Sequence, residues 1–255
     1  MAPNEVVAHV RRKDWKVIDT PGQICADAGP ALLPLLDDRD LKVRELAVYG
    51  LDAAGGKAAS QGLLKALGDR SETVRDASLR FLERHIDPSS LPELEKHFRQ
   101  SPDAYVRNRL SLIIGKLDRP AAASALRAQF AIENDLQARH AESLALARLG
   151  DPLGRQAAIG RLSEKDPGQR AGAVSDLIYI NDPRLLVHTQ VLLEDRRQAR
   201  NVGPSEAKAI IRVCDVVVNT IDEMLNHPFS FPVSMARQYS DTELNQARAT
   251  LSAIQ

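Results

Sequence analysis

The chain has 255 residues, 34 Lys+Arg against 34 Asp+Glu, and only 4% aromatics. The balanced charge removes the global field that draws a basic protein to nucleic acid or to an anionic membrane. Cys25 and Cys214 lie far apart with no CxxC or CxxH pattern, which suggests reduced thiols in a cytoplasmic protein rather than a disulfide framework. The opening MAPNEVVAHVRRKDWK has no apolar stretch of the kind a secretory signal needs, and no apolar run is long enough to span a bilayer.

In chain order, residues 1–29 read as a degenerate first repeat and N-terminal cap. Asp14-Trp15-Lys16-Val17 matches Asp40-Leu41-Lys42-Val43, but Ile18 stands in the place later taken by an arginine, and Pro21-Gly22 interrupts the helix pattern. Trp15 reads as a residue that packs the cap. Regular repeats occupy residues 30–194. Arg44 returns as Arg75, Arg107, Arg139 and Arg170, 31 or 32 residues apart. A fixed period of this length marks stacked helical units. Six residues before each arginine stand Asp38, Asp69, Ser101, Glu133 and Glu164. Four before stand Asp40, Ser71, Asp103, Asp135 and Asp166, all good N-cap types. Seven after stand Leu51, Leu82, Ile114, Leu146 and Leu177, and thirteen after stand Lys57, Pro88, Pro120, Pro152 and Pro183. Proline is best tolerated at the first position of a helix. The spacing predicts first helices near 57–67, 89–99, 120–132, 152–163 and 183–194. It predicts second helices, which carry the arginines, near 40–53, 71–84, 103–117, 135–149 and 166–180. Residues 195–204 break the period as an insertion loop carrying Arg196, Arg197 and Arg200, with Pro204 at its end. Insertions of this kind often lie on a binding face. Residues 205–225 form a last repeat helix whose arginine is Arg212, with Glu206 six residues before it. Residues 226–255 form a C-terminal cap in which Ser240 or Asp241 starts a helix near 241–253, after a connector holding Phe229 and Phe231.

The acidic turn residue, the Val-Arg pair, the small residue and the leucine (Asp38, Val43-Arg44, Ala47, Leu51; then Asp69, Val74-Arg75, Ser78, Leu82) resemble HEAT-like repeats of the short type associated with phycobilin lyases. The resemblance covers roughly residues 14–225. It implies an all-α, right-handed α-solenoid of helical hairpins forming a single array. It does not select an activity, because families of this kind include bilin lyase subunits, a deoxyhypusine hydroxylase, DNA glycosylases, scaffolds and bacterial inhibitor proteins.

The phased arginines Arg44, Arg75, Arg107, Arg139, Arg170 and Arg212 read as a structural ladder, each reaching a turn acid of its own or a neighbouring unit. The six histidines share no spacing. No HExxH and no His-Glu dipeptide occurs, so the paired dipeptides that the hydroxylase needs for its iron are missing, and no metal or other cofactor is expected. Glu142 and Asp215 occupy a slot that elsewhere holds Ala47, Ser78, Leu110 and Ala173. A carboxylate there needs a partner. Arg107 or Arg109 is the candidate partner for Glu142, and a functional carboxylate in a groove is the alternative for either acid.

Helical phase places the positions one, five and eight after each arginine opposite the core. In HEAT-type stacks the second helices line the concave surface. The expected ridge is Glu45, Tyr49, Asp52, Asp76, Arg80, Glu83, Asn108 and Leu112, continuing through His140, Leu144, Ala147, Ala171, Ser175 and Ile178. It is acidic early and apolar late, which suits a protein partner. The alternative is that the C-terminal segment covers its apolar end. The reading is a non-catalytic bacterial adaptor, scaffold or immunity-type inhibitor that holds a protein on this ridge. The alternatives are a bilin-lyase-like or chaperone-like enzyme subunit, or a DNA-binding glycosylase relative. Nucleic acid is disfavoured, because the basic clusters Arg11-Arg12-Lys13 and Arg196-Arg197 with Arg200 are short.

Overall fold

Aspartates set where the helices of this chain begin. In the computed structural model, which describes residues 1–15, 21–85, 87–203 and 209–254, the Asp40 carboxylate accepts the Lys42 backbone N–H at 2.8 Å and opens α3 (Leu41–Ala54). Asp103 does the same for α7 (Ala104–Lys116), Asp135 for α9 (Leu136–Arg148), Asp151 for α10 (Pro152–Arg161) and Asp166 for α11 (Pro167–Ile180). Each such cap satisfies one backbone donor that the first helical turn leaves unpaired.

Two compact units divide the chain, Met1–Arg139 and His140–Gln255. The first opens with α1 (Pro3–Arg11), short 3₁₀ turns and α2 (Gly29–Leu32). It continues through α3, α4 (Gly56–Ala66), α5 (Glu72–His85), α6 (Leu91–Gln100), α7 and α8 (Ala123–Phe130). Within it α3 packs on α4 and α5, α5 on α4 and α7, and α6 on α7 and α8. The second unit holds most of α9, then α10, α11, a 3₁₀ segment at Pro183–Glu194, strands β1 (Gln198–Val202) and β2 (Ala209–Arg212), α12 (Val213–Met224) and α13 (Asp241–Ser252). There α11 packs on α12, and β1 lies against α11. Each unit is a stack of helical hairpins, the all-α solenoid architecture that the period implies. No described helix is long and apolar enough to cross a membrane.

The core follows the repeat phase. Leu51, Leu82, Ile114, Leu146 and Leu177, all seven residues after an arginine, are each 0% exposed. Burying one such side chain contributes about 2 kcal/mol, so five phased positions define the inner seam. Gly154 lets α10 approach α9 closely. A Cβ there would lie 2.2 Å from the Ala147 nitrogen and 2.6 Å from the Leu146 carbonyl carbon.

Three sequence expectations are corrected. Pro88, Pro120 and Pro183 open 3₁₀ turns rather than α-helix. The first bond in each turn spans three residues, as in Ser90 N–H to the Asp87 carbonyl at 2.8 Å. In Pro183–Glu194 the 3₁₀ geometry persists throughout, and the Thr189 hydroxyl donates to the Leu186 carbonyl three residues back. The segment 195–204, expected as an irregular loop, supplies β1, which pairs antiparallel with β2. Arg212 ends β2 and caps α12 instead of sitting inside a repeat helix. Lys16, Val17, Ile18, Pro204 and Glu206 lie outside the described residues.

Candidate functional site

The arginine ladder runs in both directions along the chain. Each arginine donates to the backbone carbonyl six residues before it: Arg44 to Asp38 at 3.0 Å, Arg75 to Asp69 at 2.9 Å, Arg107 to Ser101 at 3.0 Å, Arg139 to Glu133 at 3.3 Å and Arg170 to Glu164 at 2.9 Å. Three also reach forward to the acid of the following repeat. Arg44 holds Asp69 through Nε at 2.7 Å and Nη2 at 3.1 Å, Arg107 holds Glu133 at 2.6 and 2.9 Å, and Arg170 holds Asp195 at 2.5 Å. Forked bonds of this kind fix orientation as well as charge. The Arg107 hydrogen bond holds the buried Glu133 carboxyl down at about 2. Asp195 is likewise held at about 2, chiefly by the Arg197 guanidinium and further by Arg170. Arg212 does not continue the series. Its guanidinium grips Asp215 at 2.9 and 2.7 Å and the Tyr239 carbonyl at 2.8 Å.

A second ladder lies at the far ends of the same helices. Arg84 holds Asp52 at 2.7 Å, joined by His85 at 2.9 Å. Lys116 pairs with Glu83, which Arg109 also reaches at 3.4 Å. Arg148 donates to the Tyr179 carbonyl, at the end of α11, at 2.7 Å. Sequence reasoning missed this set. Its signal was present in Arg84, Lys116 and Arg148, spaced 32 residues apart.

These pairs change the character of the expected ridge. Glu45 is bound by Lys42 at 2.8 Å, and Asp52 and Glu83 are neutralised as above, so the early ridge is a lattice of ion pairs rather than an acidic strip. In place of acid, the first unit presents the exposed Trp15 and the half-buried Tyr49, backed by the buried Phe81. The exposed Trp15 meets Tyr49 edge-on at 6.2 Å, and Tyr49 meets Phe81 at 5.0 Å. Lys42 lies 3.7 Å over the Trp15 ring, and Arg80 and Arg84 flank Phe81. Arg80 is exposed and Asp76 half-buried, both on α5. On α7 the Asn108 side chain donates to the Gln137 carbonyl at 2.8 Å, and Leu112 is half-buried.

In the second unit the ridge expectation fails for Leu144, which is buried at 7% exposure, and for Ala147 and Ala171, also buried. Core packing occupies all three, and no apolar strip runs through them. His140 instead joins a polar cluster, 3.2 Å from Asp176, while Arg161 bonds Asp176 at 2.6 Å and the His140 ring at 2.7 Å. Ser175 turns its hydroxyl to the Ala171 carbonyl, and Ile178 is half-buried.

Both misplaced acids are fully buried. Asp215 is satisfied locally, by the Arg212 side chain and backbone and by the Tyr239 N–H at 3.0 Å. Of the candidate partners of Glu142, Arg107 also bonds Glu133 and Arg109 lies 3.4 Å from Glu83. The insertion arginines divide. Arg197 forks onto Asp195, Arg196 bonds Asp241 at 2.6 Å, and Arg200 is half-buried in β1. Phe229 and Phe231 stack at 4.8 Å, and Phe231 packs on Tyr239. Ser240 caps α13 and exchanges bonds with Glu243. Among the described residues no three His, Cys, Asp or Glu side chains converge to hold a metal ion.

Three concavities lie on the first-helix side of the first unit, the smallest, of about 330 Å³, beside Arg44 and Asp69. One, of about 1020 Å³, opens between α4 and α6 and is lined by Lys57, Gln61, Arg84, Glu93 and His97 among others. Another, of about 370 Å³, lies between the α4–α5 turn and the α6–α7 turn, with Arg75, His97 and Ser101 in its wall.

Residues 29–113 match a family model described as HEAT repeats. The chain superimposes on a chain from the complex of CpcE and CpcF of phycocyanin lyase from Nostoc sp. PCC7120 with a TM-score of 0.53 and 16% identity, covering 98% of this chain and 95% of that one. It also superimposes on an archaeal HEAT-like repeats protein from Thermococcus onnurineus NA1 with a TM-score of 0.50 and 14% identity, covering 100% and 98%. A comparison with curated proteins returns no significant match. By its fold and its phased repeat residues, the chain has the HEAT-like repeat architecture.

Proposed function

We propose that this protein is a non-catalytic interaction module, an adaptor or scaffold that holds a protein partner on the second-helix face of its first unit. The observation that carries the reading is the Trp15–Tyr49–Phe81 chain with the exposed Arg80 beside it. Aromatic and arginine side chains dominate the energetics of protein interfaces. Here Tyr49 stands on α3 and Arg80 and Phe81 on α5, helices whose spacing the ion pairs Arg44–Asp69 and Arg84–Asp52 fix, so little order has to be gained on binding. HEAT repeats as a class support an interaction role. The free cysteines Cys25 and Cys214 suit a reducing compartment such as the cytoplasm. An acidic ridge would suit an immunity-type inhibitor of a basic toxin, but Glu45, Asp52 and Glu83 already have cationic partners.

The test is affinity capture with the full chain and with the double variant Tyr49→Ala/Arg80→Ala, quantified by mass spectrometry. One protein captured by the wild type and reduced about tenfold or more with the variant is the expected result. A partner retained equally by both overturns the assignment of this face. Leu144→Ala is left out because that side chain belongs to the core.

A second reading is that of a lyase or chaperone-like subunit for a tetrapyrrole. Its support is the near full-length fold likeness to a chain of the phycocyanin lyase complex. Co-expression with a bilin tests it. Visible absorbance that co-purifies with the chain supports this reading, and a colourless protein counts against it.

A further inference from the structure

One rung of the arginine ladder differs from its neighbours. In the rungs built on Arg44 and Arg107, the turn residue of the next repeat is an acid, and its carboxylate accepts both Nε and Nη2 of the arginine. For Arg75 that turn residue is Ser101. The serine side chain is too short to take the place of Asp69 or Glu133, and its hydroxyl bonds within its own turn, to the Asp103 carbonyl at 3.3 Å. Arg75 keeps the backward bond, Nη1 to the Asp69 carbonyl at 2.9 Å. Among the described residues no carboxylate bonds its Nε or Nη2.

A pocket of about 370 Å³ opens beside this arginine, and His97, Gln100 and Ser101 share its wall. Burial holds His97 below the usual imidazole range, against the pull of Glu93, whose carboxylate lies 3.5 Å from its Nε2. Gln100 offers an amide. Asp69 and Asp103 also line the pocket, but the carboxylate of Asp69 is committed to Arg44 and Ser71, and that of Asp103 to the Tyr105 N–H. Arg75 and the Gln100 amide therefore offer donors where the other rungs supply an acceptor. From this replacement of a ladder acid by Ser101 beside the Arg75 pocket, we infer a binding site for a small oxyanion, the carboxylate or phosphate group of a ligand, that completes the ladder from outside the chain. The two neighbouring rungs supply the geometry, a forked bond to Nε and Nη2.

Ser101→Asp separates this site from any other anion site, because it returns the missing acid to the chain. Thermal melts are run on wild type, Ser101→Asp and Arg75→Gln, each titrated with inorganic phosphate and, separately, with acetate at constant ionic strength. The wild type is expected to rise in melting temperature with saturable dependence on at least one anion. Phosphate alone points to a phosphate-bearing ligand, and both anions point to carboxylates as well. Ser101→Asp is expected to melt higher than wild type without anion and to lose the saturable response. Arg75→Gln is expected to bind about tenfold or more weakly, the effect of losing charge-assisted hydrogen bonds. If Arg75→Gln fails to fold, the Ser101→Asp comparison decides alone. A wild type with no saturable response to either anion overturns the inference, as does a Ser101→Asp variant that binds with wild-type affinity.

Discussion

Arg107→Ala is expected to destabilise the protein at pH 7 by about 3 kcal/mol. The change removes both bonds to Glu133, whose side chain is only 2% exposed, and leaves a buried carboxylate whose strongest partner is gone. For a chain of this size the melting temperature falls by roughly 6–12 °C. The pH profile carries the same information. Glu133 titrates at about 2 in the folded chain against an ordinary 4.5. A depressed carboxyl contributes stability that is fully present above its unfolded value and is lost as pH falls through the folded one. Between about pH 4.5 and pH 2 the wild type therefore loses about 3 kcal/mol from this one carboxyl, most of it through Arg107 and the rest through the Asp135 backbone N–H and Gln129. Arg107→Ala loses much less over that window, because its Glu133 no longer has the Arg107 bond that lowers it. The two stability curves converge at acid pH. Chemical denaturation at pH 7, 4.5 and 3 measures this directly, and parallel curves would show that the rung contributes no charge-dependent stability.

Gly154→Ala is expected to cost about 3 kcal/mol or more, at the upper end of overpacking effects. The added carbon would meet the Ala147 nitrogen at 2.2 Å and Leu146 at 2.6–2.7 Å. Backbone atoms contribute two of those contacts, so no side-chain rotation relieves them, and α10 must move away from α9. Gly172→Ala is the control. Gly172 lies inside α11 with nothing within 4 Å of the added carbon, and replacing an unobstructed helical glycine stabilises by about 0.5–1 kcal/mol. Opposite signs in equilibrium unfolding are the expected outcome. A Gly154→Ala variant as stable as wild type would mean that α9 and α10 do not approach as closely as described.

The helical period was legible because a stacked hairpin has to bury the same positions in every copy. Leu51, Leu82, Ile114, Leu146 and Leu177 announce that phase, and all five are fully buried. The caps were legible for a local reason, since an aspartate two residues before a backbone N–H is a short-range device. The β-hairpin was not legible. QARNV and AIIR are short and do not alternate, and the break in period signalled an insertion without signalling its form. The ridge was legible only in direction. Helical phase tells which way Asp52 and Glu83 point but not that Arg84 and Lys116 of the next repeat stand opposite them. That pairing is a property of the stack, not of one helix. Leu144 failed because a helix packed on several sides has no free face for phase to find. Ser101 was visible as the single non-acid in its slot. Its meaning depended on learning that Asp69, Glu133 and Asp195 each belong to the arginine of the preceding repeat.

The proposed seat of the partner is the second helices of the first unit. Amide hydrogen exchange on the full chain, with and without the captured partner, maps it. Added protection is expected in residues 41–54 and 72–85, the helices carrying Tyr49 and Arg80, with α4 and α6 unchanged. Protection confined to α4 and α6, or to β1 and β2, would contradict it and move the interface to another face.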